Sequence, residues 1–279
     1  YGPDHIVSGH RPFDGRIKLS GPGRYAFDDV TDAEHACNPA VVVVQAFFDQ
    51  SIIKRALDAG RMEMAVTNPR DYTMYRHRQV DDTIYGGGAG MLMMCQPIFD
   101  AVHHVLPEKG PRDRVIFLSP AGKTFNQEKA KELYRDYDHL VLICGHYEGV
   151  DHRVEEYLAD ELISIGDYVL TGGELGAMVI SDAVARMIPG VLGDAGSAAT
   201  DSFYEPILEY PQYTKPADYN GWKVPEVLLS GHHANIARWR RKEALRRTLE
   251  CRPDLLSGLK MTAEDKKLLA EIKREKEDQ

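Results

Sequence analysis

The sequence predicts an α/β fold built on a parallel sheet, and three observations carry that prediction. Apolar, β-branched runs alternate with segments of helical periodicity along most of the chain. Three of the runs pass directly into glycine-bearing turns: Val115 to Gly122, Leu140 to Gly149 and Ile163 to Gly173. The helical stretches between them are long enough to serve as crossover connections, which parallel neighbours require.

Taken in order, residues 1–40 are rich in Gly, Pro, His and Asp, lack sustained periodicity and end at Asn38-Pro39, so they read as a leader outside the fold. The first strand is expected at Val41 to Val44. A helical stretch through Ile52, Ile53, Ala56 and Leu57 ends at Gly60, and a short apolar run follows at Met62 to Val66. A polar, basic loop spans Asn68 to Asp82 and leads to Tyr85-Gly86-Gly87-Gly88-Ala89-Gly90-Met91. The crossover helices are expected at Asn126 to Tyr134 and Leu175 to Met187. After Pro189-Gly190 periodicity is lost through Gly193 to Thr200, a linker or active-site loop. A Pro/Tyr-rich segment, 206–225, precedes helices, the last of them opened by Thr262 and Asp265 as a capping pair with Leu268, Leu269 and Ile272 as its buried stripe.

Composition narrows the function classes. The 279 residues are 43% hydrophobic, enough for one large domain or a large and a small one. No run approaches the eighteen or so apolar residues of a membrane helix, so no membrane partner is expected. Cys37, Cys95, Cys144 and Cys251 form no Cys-x-x-Cys pair, and no histidine or cysteine spacing matches a zinc site. Reduced thiols in a cytoplasm fit best. The net charge of −9 is unevenly spread: Lys and Arg outnumber Asp and Glu 15 to 12 over residues 207–279, against 19 to 31 over residues 1–206. The densest basic cluster, Arg238-Trp239-Arg240-Arg241-Lys242 with Arg246-Arg247, has two readings. Either its cations meet phosphates and its tryptophan stacks a base, or it is a solvated helix face with one tryptophan in the core.

Neither the Walker phosphate loop nor the Gly-x-Gly-x-x-Gly fingerprint is present; Gly122-Lys123-Thr124 lacks its earlier glycine, and Gly86 to Gly90 has the wrong spacing. Each glycine turn alone reads as a plain strand-to-helix turn. Three at strand ends point instead to a ligand approached closely by main chain, at the carboxyl edge of the sheet.

The strings Ile143-Cys144-Gly145-His146-Tyr147-Glu148-Gly149-Val150-Asp151, Ser164 to Glu174 and Arg186 to Gly193 closely resemble the TrmD family of bacterial tRNA (guanine-N1)-methyltransferases, of the SPOUT class. Tyr85 to Met94, Leu118-Ser119-Pro120, Thr200-Asp201-Ser202-Phe203 and Val227 to His233 extend the match in order, from about Ser51 to the C-terminus. The resemblance implies a trefoil-knotted α/β domain over residues 41–192, a flexible linker or active-site loop over 193–206 and a small, mostly helical RNA-binding domain over 207–279. It implies S-adenosylmethionine as methyl donor, tRNA as substrate and a homodimer. The cofactor residues carried over are Leu118, Pro120, Gly145, Tyr147, Glu148, Ile165, Gly166, Asp167, Tyr168, Val169, Leu170, Gly172 and Gly173. Asp167 and Glu148 are open between bonding the amino end of the cofactor, capping a turn and holding magnesium.

Asp201 matches the family's general base, and Arg186 the arginine that supports the guanine or charge developing on O6. Taken alone, Asp201 reads as a turn or N-cap aspartate and Arg186 as a helix-face ion-pair partner. The implied reaction is methylation of N1 of the guanosine immediately 3′ of the anticodon. Three rivals are carried: another SPOUT enzyme with a different RNA target, a noncatalytic RNA-binding protein of the same fold, and a metabolite-binding α/β protein. The sequence departs from the family at its start, where Gln45-Ala46-Phe47-Phe48 replaces the usual Phe-Pro-Glu turn, and at His152, where many relatives carry glutamate.

Overall fold

The computed structural model describes residues 16–20, 46–192 and 201–277, and the chain divides into two compact units, residues 1–193 and 194–279. In the first unit, strand β1 (Arg16–Ser20) is followed by helix α1 (Ser51–Asp58) and strand β2 (Glu63–Thr67). A short antiparallel pair, β3 (Asp81–Thr83) and β4 (Met91–Met93), precedes helix α2 (Cys95–Val105). Then come β5 (Asp113–Thr124), α3 (Gln127–Asp136), β6 (His139–Ile143), α4 (His152–Tyr157), β7 (Glu161–Ser164) and α5 (Glu174–Ala185).

Five strands form one sheet in the order β2-β1-β6-β5-β7, with every neighbouring pair parallel. A parallel sheet covered on both faces needs apolar side chains on both, and β6 supplies them. Leu140 and Leu142 join Ile53, Leu133, Ile180 and Val184 in the core beneath α1, α3 and α5. Val141 and Ile143 point the other way, into a second core with Ile98, Val102 and Val154 from α2 and α4. The period-two alternation of one buried strand thus builds both layers. Local signals set the helix starts: the Asn126 side chain accepts from the Lys129 amide at the start of α3, and Asp151 accepts from the Arg153 amide at the start of α4.

The segment read as a leader is corrected in part. Arg16–Ser20 occupies the sheet between β2 and β6, with Ile17 aligned to Met64 and Leu140. Its period-two pattern is only five residues long inside a Gly- and Pro-rich stretch, too short to stand out. The expected strand at Val41 to Val44 lies outside the described residues, as does the linker at 193–200. Helices α2 and α4 were not anticipated; α2 carries Pro97 in its first turn, where proline is tolerated but reads in sequence as a breaker.

The second unit contains a two-stranded hairpin of β8 (Asp218–Tyr219) and β9 (Trp222–Lys223), then helices α6 (Glu226–Leu229), α7 (His233–Cys251) and α8 (Ala263–Glu277). Thr262 and Asp265 do open α8. The Asp265 amide donates to the Thr262 hydroxyl at 3.1 Å and the Thr262 amide to the Asp265 carboxylate at 2.9 Å. Leu268 and Ile272 are fully buried against Leu245 of α7. Ion pairs lace the same two helices together: Arg238 to Glu264 and Glu271, Arg241 to Asp265, Lys242 to Glu271 and Glu275, and Arg246 to Glu275. Most of the basic cluster is therefore neutralised by acids of α8.

Candidate functional site

The sheet brings the three glycine turns together at the carboxyl ends of β5, β6 and β7, where they enclose a cavity of about 350 Å3. Its construction starts with an excursion in β5. Residues up to Leu118 pair with β7, the chain loops out through Ser119-Pro120-Ala121-Gly122, and Lys123 rejoins β7 opposite Ile163. Gly122 makes this return possible. A Cβ there would stand 2.5 Å from the carbonyl carbon of Leu162 and 2.6 Å from that of Ile163, in the neighbouring main chain. The loop is held internally by the Ala121 amide donating to the Ser119 hydroxyl at 3.2 Å.

The second and third turns are tied to each other. His146 and Gly172 form an isolated antiparallel bridge, and the Gly173 amide donates to the Gly145 carbonyl at 2.9 Å. The chain leaving β7 thus passes back to the chain leaving β6, although β5 lies between those strands in the sheet. Gly173 packs on main chain: an added Cβ would lie 2.7 Å from Cys144 Cα. The turn after β7 is fastened by the Tyr168 hydroxyl donating to the Ile165 carbonyl at 3.0 Å and by the Gly166 amide donating to the Ser164 hydroxyl at 3.1 Å.

Leu118, Pro120, Gly145, Tyr147, Glu148, Ile165, Gly166, Tyr168, Val169, Leu170, Gly172 and Gly173 all line this one cavity. Asp167 does not line it and is exposed. Arg186 does not line it either. It caps the C-terminal end of α5, whose N-terminal half contributes Gly176 to the cavity wall. Asp201 belongs to the second unit, where its carbonyl accepts from the Tyr204 amide at 3.2 Å. Sequence reasoning did not nominate Ser119, His146, Glu155, Ser164 or Thr171, which also line the cavity. Four of these five sit inside the strings that carried the resemblance, so adjacency to the turns was the available signal. Glu155 is brought in by the first turn of α4 and had none.

The walls differ in chemistry. Leu118, Ile165, Val169 and Leu170 are apolar, and the glycines present main chain. Glu148 and Glu155 bring carboxylates. Glu148 is held from outside by the β3–β4 hairpin, its amide donating to the Met91 carbonyl at 3.1 Å and its side chain filling the space over Gly90, where a Cβ would lie 2.7 Å from Oε1. Tyr147 is in the left-handed region at φ 59°, a strained conformation for a tyrosine and of the kind that collects at binding sites. Its hydroxyl accepts from the Arg70 guanidinium at 2.9 Å.

Two buried polar atoms near Gly172, His146 Nδ1 and Glu174 Oε1, have no hydrogen-bond partner among the described residues. Burial, and then the Glu174 carboxylate, push the Cys144 thiol well above its ordinary range, so it stays protonated and unreactive beneath the turns. Among the described residues no group of three or more His, Cys, Asp or Glu could hold a metal ion. No described helix is long and apolar enough to cross a membrane.

Comparison with known proteins gives this cavity its context. The family model for tRNA (guanine-1)-methyltransferase, TrmD, matches residues 39–258. The tRNA (guanine-N(1)-)-methyltransferase of Halalkalibacterium halodurans is 54% identical over 233 residues, 84% of this chain and 94% of the relative. Its namesake from Leuconostoc mesenteroides is 56% identical over 228 residues, covering 82% and 93%, and that from Dehalococcoides mccartyi is 54% identical over 228 residues, covering 82% and 92%. A family match across both units, with more than half the residues identical to each of these relatives, means that this chain belongs to the tRNA (guanine-1)-methyltransferase family.

Proposed function

We propose that the chain is a cytoplasmic, S-adenosylmethionine-dependent methyltransferase acting on N1 of the guanosine immediately 3′ of the anticodon in tRNA. The observation that carries this reading is the glycine-walled cavity at the carboxyl edge of the sheet, in a member of a family named for that chemistry. The donor, when bound, supplies an electrophilic methyl group on a sulfonium centre. The cavity fits such a molecule. Main chain at Gly145, Gly166, Gly172 and Gly173 admits close approach, apolar walls suit an adenine ring, and Glu148 and Glu155 complement a cation.

In this reading Asp201 is the general base that takes the N1 proton of the guanine, and Arg186 is the cation that balances negative charge gathering toward O6. A homodimer is supported by the position of Arg186. It stands about 15 Å along α5 from Gly176, ten residues at the helical rise, so one copy does not bring it to its own cavity. An isologous second copy supplies the missing side. A trefoil knot within residues 41–192 is supported by the return of Gly172 and Gly173 to His146 and Gly145 past the β5 excursion. Residues 207–279 are assigned to tRNA binding and 193–206 to the loop that carries Asp201.

The deciding experiment is transfer of labelled methyl from S-adenosylmethionine to an unmodified tRNA transcript carrying guanosine 3′ of the anticodon, followed by nucleoside analysis. Formation of 1-methylguanosine, lost in Asp201→Ala while donor binding persists, supports the reading. Another methylated nucleoside overturns the substrate, and an unaffected Asp201→Ala overturns the base.

A further inference from the structure

The basic cluster of α7 is divided by the helix into two faces. Arg238, Arg241, Lys242 and Arg246 recur at the spacing of one face, and all four are paired with carboxylates. Ile236, Arg240 and Arg247 fall on the opposite face. There the exposed guanidinia of Arg240 and Arg247 have no carboxylate partner among the described residues.

That second face borders a groove of about 350 Å3, which shares no lining residue with the glycine-walled cavity. Its lining joins three aromatic rings, Tyr210, Tyr213 and Trp239, to the aliphatic side chains of Val224, Leu228, Leu229 and Ile236. Tyr213, half exposed, lies 6.4 Å from the Trp239 ring at 53°, and the Arg240 guanidinium sits 5.0 Å over the Tyr210 ring. Lys215 adds a second cation, also without a carboxylate partner among the described residues.

We propose that this groove binds an unpaired nucleotide of RNA, its base stacked among Trp239, Tyr213 and Tyr210 and its phosphate met by Arg240 and Lys215. The chemistry selects this ligand. Exposed aromatic faces accept any base by stacking, and cations left unpaired beside them neutralise a phosphate at little cost in broken ion pairs. An apolar protein partner would cover Arg240 and Lys215 without compensating their charge, whereas a nucleotide brings a ring to the aromatic side chains and a phosphate to the cations. The segregation of charge strengthens the case: α8 neutralises every cation on its own side of α7 and leaves unpaired Arg240, which lines the groove. The proposal rests on the reading of the substrate as tRNA and deepens it by naming where a base outside the reacting one is held.

The test measures binding of a labelled tRNA transcript and of a short single-stranded RNA to the full chain, across a range of salt, for wild type, Trp239→Phe, Trp239→Ala and Arg240→Ala. Methyl transfer and donor binding are measured in parallel. Trp239→Ala is expected to weaken RNA binding about 5- to 150-fold, the range that stacking contacts lose on truncation, with Trp239→Phe retaining most of the affinity. Arg240→Ala is expected to lower the slope of log affinity against log salt by about 0.7 to 0.9 and to raise the KM for tRNA with kcat little changed. Arg240 is exposed, so that variant reports on the groove even if Trp239→Ala fails to fold. Unchanged tRNA affinity and salt slope in Arg240→Ala, with affinity also unchanged in a folded Trp239→Ala, would overturn the groove and leave the proposed function standing. Loss of RNA binding in these variants from a wild type that transfers no methyl would uphold the groove and sink the proposed function.

Discussion

The Arg70 guanidinium donates to the Tyr147 hydroxyl at 2.9 Å, joining a basic loop to a strained residue in the wall of the cavity. A second hydrogen bond from Arg70 to the Arg78 carbonyl, at 3.1 Å, closes the loop on itself. The loop also carries an Arg78–Asp71 ion pair and left-handed backbone at His77 and Arg78. Tyr147→Phe keeps the ring and removes the acceptor, so it separates the link from the wall. Both partners are partly exposed, and the expected loss is about 0.5–1.5 kcal/mol. If the basic loop meets tRNA in the proposed reaction, this appears as a few-fold rise in KM for tRNA with the donor Kd unchanged, measured by steady-state kinetics and calorimetry. A changed donor Kd with an unchanged KM would reverse the assignment of the link to the RNA side.

The tie between the turns after β6 and β7 predicts intolerance at Gly173. Its added Cβ would meet Cys144 Cα at 2.7 Å and the Gly145 amide nitrogen at 3.2 Å, both main chain in a buried strand end. Gly173→Ala must therefore separate the two turns. A loss of about 1–3 kcal/mol in denaturant unfolding is expected, with donor affinity down at least about tenfold. Gly221→Ala is the contrast: a Cβ there meets nothing within 4 Å, so only its left-handed backbone is penalised and donor binding stays intact.

The burial of Cys144 makes a chemical prediction. Its thiol is held protonated by desolvation and by the Glu174 carboxylate, whereas Cys251 is exposed at the end of α7. A thiol reagent at neutral pH should modify Cys251 rapidly and Cys144 only on unfolding, read by mass spectrometry of the peptides. Cys144→Ala should keep methyl transfer. Fast labelling of Cys144 in the folded protein would mean that the turns above it open readily.

Much of the architecture is legible in the sequence because the buried strands announce themselves. Leu140 to Ile143 is apolar at every position, as a strand covered on both faces must be, and the run into Gly145 marks the turn. The residues expected to hold the cofactor were carried over from the family resemblance, and the structure gathers nearly all of them around one cavity. Asp167, from the same string, points outward, since neighbours in sequence on a turn need not share a side. The β5 excursion was hidden: Ser119 to Gly122 reads as a strand-to-helix turn, and only pairing with β7 on both sides shows that the strand resumes. The ion-pair partition of α7 was hidden too, because it depends on which face of α7 meets α8.

The Arg241–Asp265 pair makes the second unit sensitive to acid. The Asp265 side chain is 2% exposed and hydrogen-bonded by Arg241 at 2.7 Å and by the Thr262 amide at 2.9 Å, which lowers its pKa to about 2. A folded-state value below the unfolded one means the unfolded chain binds the proton first as pH falls. The stabilisation is therefore fully present above about pH 5, declines as pH drops through the ordinary aspartate range, and is gone below the folded value near 2. The shift corresponds to about 2 kcal/mol at neutral pH. Glu275, held down to about 2 by Lys242 and Arg246, titrates in the same direction, but it is largely exposed and adds less. Asp265→Asn should lower stability at pH 7 and flatten its decline between pH 5 and 2, followed by denaturant unfolding at a series of pH values. The substitution also leaves Arg241 without its buried partner while Glu205 still reaches it at 3.1 Å, which limits the cost. An unaltered pH profile would place the acid sensitivity on other carboxylates and remove Asp265 from the account.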